Sequence, residues 1–280
     1  MIKRFLDRSL RGLYGALVPA RAKNTIRLRL LFEEQDKPPV PLRDFDEESV
    51  VVLAPHFDDE VIGCGGALLR HARAGAKICA VFLTDGSRGD SSLYKQEGLD
   101  AEAVAAAEAS LAKQRKLESE NAAKIIGIGE LVFLDEPDGA LEVRPKVVEG
   151  LTAALARAKP QVVYVPSMLD THLDHWAVNL VLRECVRRGA LAEGGVLLRQ
   201  YEVWTPLVVN RIVEIADVLD TKVEALRQFE SQHPEKQLIP QFVGLSHYRS
   251  IHRGTGPAEA FFESDVASYC AILDRFAERR

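Results

Sequence analysis

Short apolar strands alternating with amphipathic helices predict an α/β fold, a Rossmann-like three-layer sandwich with a mostly parallel sheet and its active site at the carboxyl ends of the strands. Two observations carry the prediction. Residues 50–54 (VVVLA), 77–84 (KICAVFLT) and 161–166 (QVVYVP) are continuous apolar runs of strand length, the pattern of strands covered on both faces. Between them lie longer stretches with helical periodicity, which is what a parallel sheet needs for its crossovers.

Taken in order, residues 50–54 read as the first strand and 61–74 as a helix stopped at Gly75. Residues 77–84 form the second strand. The stretch 98–126, rich in alanine, glutamate and lysine, reads as one or two helices, and 131–134 as the next strand. A helix over 144–158 leads to the strand at 161–166, which is followed by a helix over 176–188. Residues 197–204 and 210–215 read as strands and 218–229 as a helix. There is no internal repeat and no linker inside this core.

Ahead of the first strand, EEQDKPPVPLRDFDEES (33–49) is charged, proline-rich and without periodicity, the composition of a linker. The chain therefore divides into an N-terminal segment over 1–48 and a domain over 49–280. In the segment, Ile2, Leu6, Leu10, Leu13 and Leu17 fall at helical spacing with Lys3, Arg4, Arg8 and Arg11 between them. Gly15 and Pro19 interrupt what would otherwise be the apolar core of a signal peptide. Residues 1–20 thus read as a basic amphipathic helix, suited to peripheral contact with an anionic membrane face or to packing on protein.

The totals narrow the function. A length of 280 residues with 47% hydrophobic content supports a sizeable core, and a net charge of −5 argues against a nucleic-acid partner. Cys64, Cys79, Cys185 and Cys270 form no C-x-x-C pair, which points to a reduced, cytoplasmic compartment and away from a structural zinc knuckle. No run approaches the ~20 apolar residues of a membrane span. Nothing in the sequence specifies an oligomeric state.

The chemistry sits behind two strands. After the first comes APHFDDEVIGCGGALL, with His56, Asp58, Asp59 and Glu60; after the strand at 161–166 comes SMLDTHLDHWAVN, with Asp170, His172, Asp174 and His175. So many ionisable groups cannot be buried unpaired. Strand carboxyl ends in an open α/β sheet line one crevice, so the two clusters can converge. A catalytic zinc takes three histidine or carboxylate ligands and leaves one position to water. His56, Asp59 and one of His172 or His175 make such a set, and Asp58 is the spare carboxylate for the water's proton. The alternative is that these side chains cap helices and form salt bridges. A dinucleotide site at GCGG is discarded, because the spacing of Gly63, Gly65 and Gly66 is not G-x-G-x-x-G and the carboxylates before it repel a pyrophosphate.

APHFDDEVIGCGGALLR, VFLTDGSRGD, FLDEPDGAL, VVYVPSMLDTHLDHWAVN and YEVWTPLVVNRIVEI follow one another as in the PIG-L/LmbE family of zinc-dependent N-deacetylases, and the resemblance covers about residues 50–262. It implies that His56, Asp59 and His175 hold Zn2+, for which other divalent metals can substitute. It makes Asp58 the general base and His172 the group that polarises the amide carbonyl or stabilises the oxyanion. The implied reaction removes the N-acetyl group from an amino sugar of N-acetylglucosamine type, in a glycoconjugate, a glycolipid or a sugar-thiol precursor. The alternatives are a metal-dependent amidase or phosphoesterase, and a non-catalytic sugar-binding module.

Further positions match the family more loosely. Arg115, with Glu118 one turn later, resembles an R-x-x-E helix whose arginine faces substrate; otherwise the two form an exposed i,i+3 pair. Asp138 is placed to accept sugar hydroxyls, or else belongs to a Pro-Asp-Gly turn, and Asp85 ends a strand at the same crevice or belongs to an Asp-Gly turn. Glu60 is expected to cap or salt-bridge the following helix. Glu259 matches a C-terminal A-E-A-F element with no derivable role. Phe57 stands where the family has proline, so packing must fix a loop that a proline ring would lock.

Overall fold

The computed structural model describes residues 38–89, 100–191, 195–232, 238–252 and 256–277. The chain divides into two units, Met1–Pro39 and Val40–Arg280. The elements that follow belong to the second, and the amphipathic stretch at 1–20 lies outside the described residues. In chain order they are β1 (Val40–Pro41), β2 (Ser49–Ala54), α1 (Asp59–Arg73), β3 (Lys77–Thr84), α2 (Ala101–Ile126), β4 (Glu130–Glu136), α3 (Pro145–Ala158) and β5 (Val162–Pro166). They continue with α4 (Leu173–Arg187), β6 (Leu197–Tyr201), β7 (Arg211–Glu214), α5 (Leu219–Leu226), α6 (Leu238–Arg249), β8 (Ala258–Asp265) and α7 (Val266–Ala277).

The strands form one eight-stranded sheet in the order β1-β7-β8-β6-β5-β2-β3-β4. From β4 to β6 every neighbour is parallel, and β8 runs antiparallel to both β6 and β7. Alternation along β2 explains its unbroken apolar run. Val50, Val52 and Ala54 join a core with Leu68, Ile126 and Leu226, from α1, α2 and α5. Val51 and Leu53 join the opposite core with Leu151, Val178 and Leu273, from α3, α4 and α7. Each buried valine, leucine or isoleucine among them contributes about 1.5–3 kcal/mol, and the sheet becomes the middle layer of three.

The three-layer α/β prediction therefore holds, with corrections at particular elements. The strand expected over 197–204 stops at Tyr201. The stretch read as linker contributes β1, whose Val40 and Pro41 pair with Arg211 and Ile212. The helix expected from Trp176 begins at Leu173, because His172 acts as its N-cap: the Asp174 N–H donates to His172 Nδ1 at 3.2 Å. The α6, β8 and α7 elements went unread. The register of the central pairs sets up the site: β2 and β5 are neighbours, with Val52 opposite Tyr164, so the loops after Ala54 and Pro166 open side by side. Among the described residues no helix is long and apolar enough to cross a membrane.

Candidate active site

The loop from β2 to α1 is held by Phe57. Its ring is buried, 5.0 Å from Phe82 and 5.6 Å from Phe133 between centroids, and the Arg115 guanidinium lies 5.9 Å from its centre. Gly86 lets the ring approach, since a Cβ there would come within 2.6 Å of it. Packing thus does the work that a proline ring would do, and His56, Asp58 and Asp59 leave the loop at fixed positions.

Donor atoms from the two loops converge on one carboxylate oxygen. Asp59 Oδ2 accepts the His56 backbone N–H at 2.9 Å and stands 3.1 Å from His56 Nδ1 and 3.3 Å from His175 Nε2. Behind each histidine is a further carboxylate. His56 Nε2 lies 3.2 Å from both Asp174 Oδ2 and Asp138 Oδ1, and His175 Nδ1 lies 3.5 Å from Asp170 Oδ1. These carboxylates are themselves anchored. Asp174 accepts the N–H groups of Gly139 (2.7 Å) and Leu141 (3.0 Å), Asp170 those of His172 and Trp204 (both 3.0 Å), and Asp138 that of Arg88 (2.9 Å). A carboxylate behind a histidine holds the proton on the far ring nitrogen and turns the near one toward a metal.

The charges fit a cation. Burial opposes a proton on His56, yet Asp138, Asp174 and Asp59 push its pKa well above the ordinary value. Burial likewise opposes charge on His175, and Asp59 and Asp170 nonetheless bring it up to about 9. Burial alone would raise Asp59, but His175 and His56 hold it well below the usual carboxylate range. The field that keeps protons on two buried imidazoles is one that would hold a divalent ion in their stead. Two groups bring ligand atoms within 4.8 Å of one another: His56 with His172 and His175, and His56 with Asp138 and Asp174. In the second group both carboxylates already accept backbone N–H groups. Asp59 Oδ2 likewise accepts a backbone N–H, that of His56, while neither ring nitrogen of His175 makes a close hydrogen bond.

Asp58 and His172 flank this set. Burial pushes Asp58 up to about 7 against the pull of Arg115, whose Nη2 is 3.5 Å from Asp58 Oδ1. Because His172 Nδ1 accepts the Asp174 N–H, its neutral ring carries the proton on Nε2 and offers a donor. Its ring centroid is 4.6 Å from that of His56 and 5.0 Å from that of His175. Burial, His56 and His175 all lower its pKa, which favours that neutral donor.

The remaining candidates separate. Arg115 is 2% exposed and donates to Gly86 O at 3.0 Å, with Asp138 Oδ2 3.9 Å away. The exposed pair with Glu118 does not exist; Glu118 instead accepts from the Ser231 backbone N–H (3.0 Å) and hydroxyl (2.6 Å), because this face of α2 turns inward. Asp138 is buried behind His56. Asp85 makes its turn, accepting from Ser87 N–H (3.0 Å) and Asp138 N–H (3.3 Å). Glu60 neither caps nor pairs, a correction to the expectation: both its carboxylate oxygens are buried without a hydrogen-bond partner, and burial pushes its pKa well above the carboxylate range. Sequence reasoning assigned no role to Asp170 and Asp174. Both lie within the second cluster, yet nothing in residue type separates a ligand from the carboxylate that orients one.

The sequence signature of the PIG-L family, described as GlcNAc-PI de-N-acetylase, matches residues 51–186. The diacetylchitobiose deacetylase of Thermococcus kodakarensis is 28% identical over 205 residues, covering 68% of this chain and 72% of that protein. The 1D-myo-inositol 2-acetamido-2-deoxy-alpha-D-glucopyranoside deacetylase of Kineococcus radiotolerans is 32% identical over 246 residues; the match takes in 75% of this chain and 65% of that one, just under two thirds of its length. Among solved structures, the N,N'-diacetylchitobiose deacetylase of Pyrococcus horikoshii superposes with a TM-score of 0.67 at 24% identity, over 88% of this chain and 94% of that one, a likeness of fold.

Proposed function

We propose that this chain, whose residues 51–186 match the PIG-L family signature, is a zinc-dependent hydrolase that removes the N-acetyl group from an amino sugar of N-acetylglucosamine type. The observation that carries the reading is the convergence of His56 Nδ1, His175 Nε2 and Asp59 Oδ2, with a carboxylate anchored behind each histidine. The relatives named as deacetylases of N-acetylated sugars support the substrate class.

His56, Asp59 and His175 are the residues that would hold the metal. When bound, zinc supplies a water that ionises near neutral pH and draws charge from the acetyl carbonyl. Asp58 takes the proton of that water at its carboxylate as the new C–O bond forms, and delivers it to the departing nitrogen as the C–N bond breaks, giving acetate and the free amine. Arg115 holds Asp58 in place. The Nε2–H of His172 donates to the oxygen on which negative charge develops. Asp174, Asp138 and Asp170 keep the two ligand imidazoles in their tautomers.

The test is incubation of the zinc-loaded protein with a panel of N-acetylglucosamine conjugates, reading acetate release. Activity on at least one is expected, and acetate from none overturns the reading. We place the enzyme in the cytoplasm, supported by cysteines that form no disulfide, with residues 1–20 against an anionic membrane face. The full chain is then expected to sediment with anionic vesicles at low salt and to be released at high salt, as screening weakens the pull on Lys3, Arg4, Arg8 and Arg11. Equal sedimentation at both salts, or none, removes the membrane contact.

A further inference from the structure

The helix that carries Asp59 is broken, and what closes the break comes from outside it. At Cys64 the backbone leaves helical conformation (φ −144°, ψ 16°). The short first piece, beginning at Asp59, therefore ends without a next turn to satisfy its carbonyls, and the second piece begins with N–H groups that have no acceptor. Lys222, on α5, donates from Nζ to Ile62 O at 2.8 Å and to Glu259 Oε1 at 2.7 Å. Glu259, on β8, accepts the Gly66 N–H at Oε1 (2.7 Å) and the Ala67 N–H at Oε2 (2.8 Å). The Cys64 thiol donates to Glu60 O at 3.2 Å.

The glycines of GCGG belong to the same device. A Cβ at Gly63 would meet the Tyr201 ring at 2.1 Å, and one at Gly66 would meet Ile215 Cγ2 at 2.5 Å and Glu259 Oε1 at 3.0 Å. Lys222 and Glu259 are both buried, and neither takes part in the chemistry proposed above. An ion pair so deep is a poor source of stability, since desolvation offsets its attraction. Its distinctive effect is geometrical: it ties α5 and β8 to the single turn that presents Asp58 and Asp59.

We propose that Lys222 and Glu259 are positioning residues, which orient the first turn of α1 and through it place Asp59 as ligand and Asp58 as base. The inference rests on the reading of those two residues given above. Disturbing the pair then moves a ligand without removing one.

Lys222→Met, Glu259→Gln and the double variant test this, beside Val148→Ala, which loosens the opposite core layer. Each is loaded with Co2+, and its visible spectrum, its cobalt affinity by chelator competition and its melting temperature are measured, with kcat and KM on a hydrolysed N-acetyl sugar. The single variants are expected to change the cobalt spectrum, weaken cobalt tenfold or more and lower kcat at least tenfold with little change in KM. Val148→Ala is expected to lower the melting temperature and leave the spectrum and kcat unchanged. The double variant has no uncompensated buried charge and is expected to recover melting temperature relative to the singles, while its spectrum stays altered because Ile62 O remains uncapped. A folded Glu259→Gln with wild-type spectrum and cobalt affinity overturns the proposal, as does a double variant whose spectrum recovers together with its stability. A wild-type protein that binds cobalt and releases no acetate overturns the deacetylase reading alone, with the spectrum still deciding the positioning role; one that binds no cobalt removes both.

Discussion

An imidazole gives a metal its lone pair best where a neighbour holds the proton on its other nitrogen; in the proposed site Asp174 and Asp138 stand 3.2 Å from His56 Nε2, and Asp170 stands 3.5 Å from His175 Nδ1. The consequences differ by residue. His56→Ala, Asp59→Ala and His175→Ala each remove a proposed ligand and are expected to lose zinc on dialysis; full zinc occupancy at limiting metal would exclude the residue from the ligand set. Asp170→Asn and Asp174→Asn keep shape and lose only the charge that fixes the tautomer, so zinc affinity is expected to fall about 10- to 100-fold, measured by chelator competition. Asp58→Asn should keep its zinc, while kcat falls by roughly 10²–10⁴, the usual worth of a positioned general base. Unchanged turnover in that variant removes the role.

At the scale of elements, the β2–α1 loop is rigid because Phe57 fills a slot between Phe82, Phe133 and Gly86. Phe57→Ala empties it and is expected to cost about 3–5 kcal/mol, read as a fall in the urea midpoint; a loss within error would show that the ring does not hold the loop. The contrast between this loop and its surroundings shows what a sequence exposes. β2, β3 and β5 were legible because strands covered on both faces are apolar without interruption. The two clusters were legible because each follows such a strand. The start of α4 was not, since histidine is an uncommon N-cap and His172 gives no ordinary start signal. Nor was β8, whose Glu259 and Glu263 look like surface residues; their partners Lys222, Arg199 and Arg211 come from other elements, and only the fold brings them together. Arg115 shows the same limit in reverse, because helical spacing offered Glu118 as its partner while the tertiary structure supplied Asp58. Local pattern reports which faces are buried, and buried charge contradicts that report wherever its counter-charge is distant in sequence.

Across the whole molecule, the site's stability and the fold's stability depend on different titrations. Away from the metal-ligand candidates, a buried polar network joins the approach to β2 with α1 and four strands. Arg199 donates to Glu47 (2.9 Å), Glu263 (2.8 Å) and the Tyr164 hydroxyl (3.0 Å), and Arg211 reaches Glu263 at 2.8 Å. His71, in the last turn of α1, lies within it: Nε2 is 3.1 Å from the Tyr164 hydroxyl and Nδ1 is 3.5 Å from Glu47 Oε2. Because the Tyr164 oxygen already accepts from Arg199, its proton is free to go to His71 Nε2, which requires a neutral ring. Burial, reinforced by the nearby Arg199 charge, lowers the His71 pKa to about 3. In the unfolded chain the same imidazole takes a proton near pH 6.5. Between these values the unfolded state binds the extra proton, so acid favours unfolding; the stability is fully present above about pH 6.5 and is lost as pH falls toward 3. For one such group the loss between pH 7.5 and pH 5.5 is about 1.4 kcal/mol. His71→Gln keeps an acceptor for the Tyr164 hydroxyl and cannot titrate, so its urea-derived stability should fall less than the wild type's by about that amount between the two pH values. If both proteins lose stability equally, His71 is not the group through which acid loosens the fold.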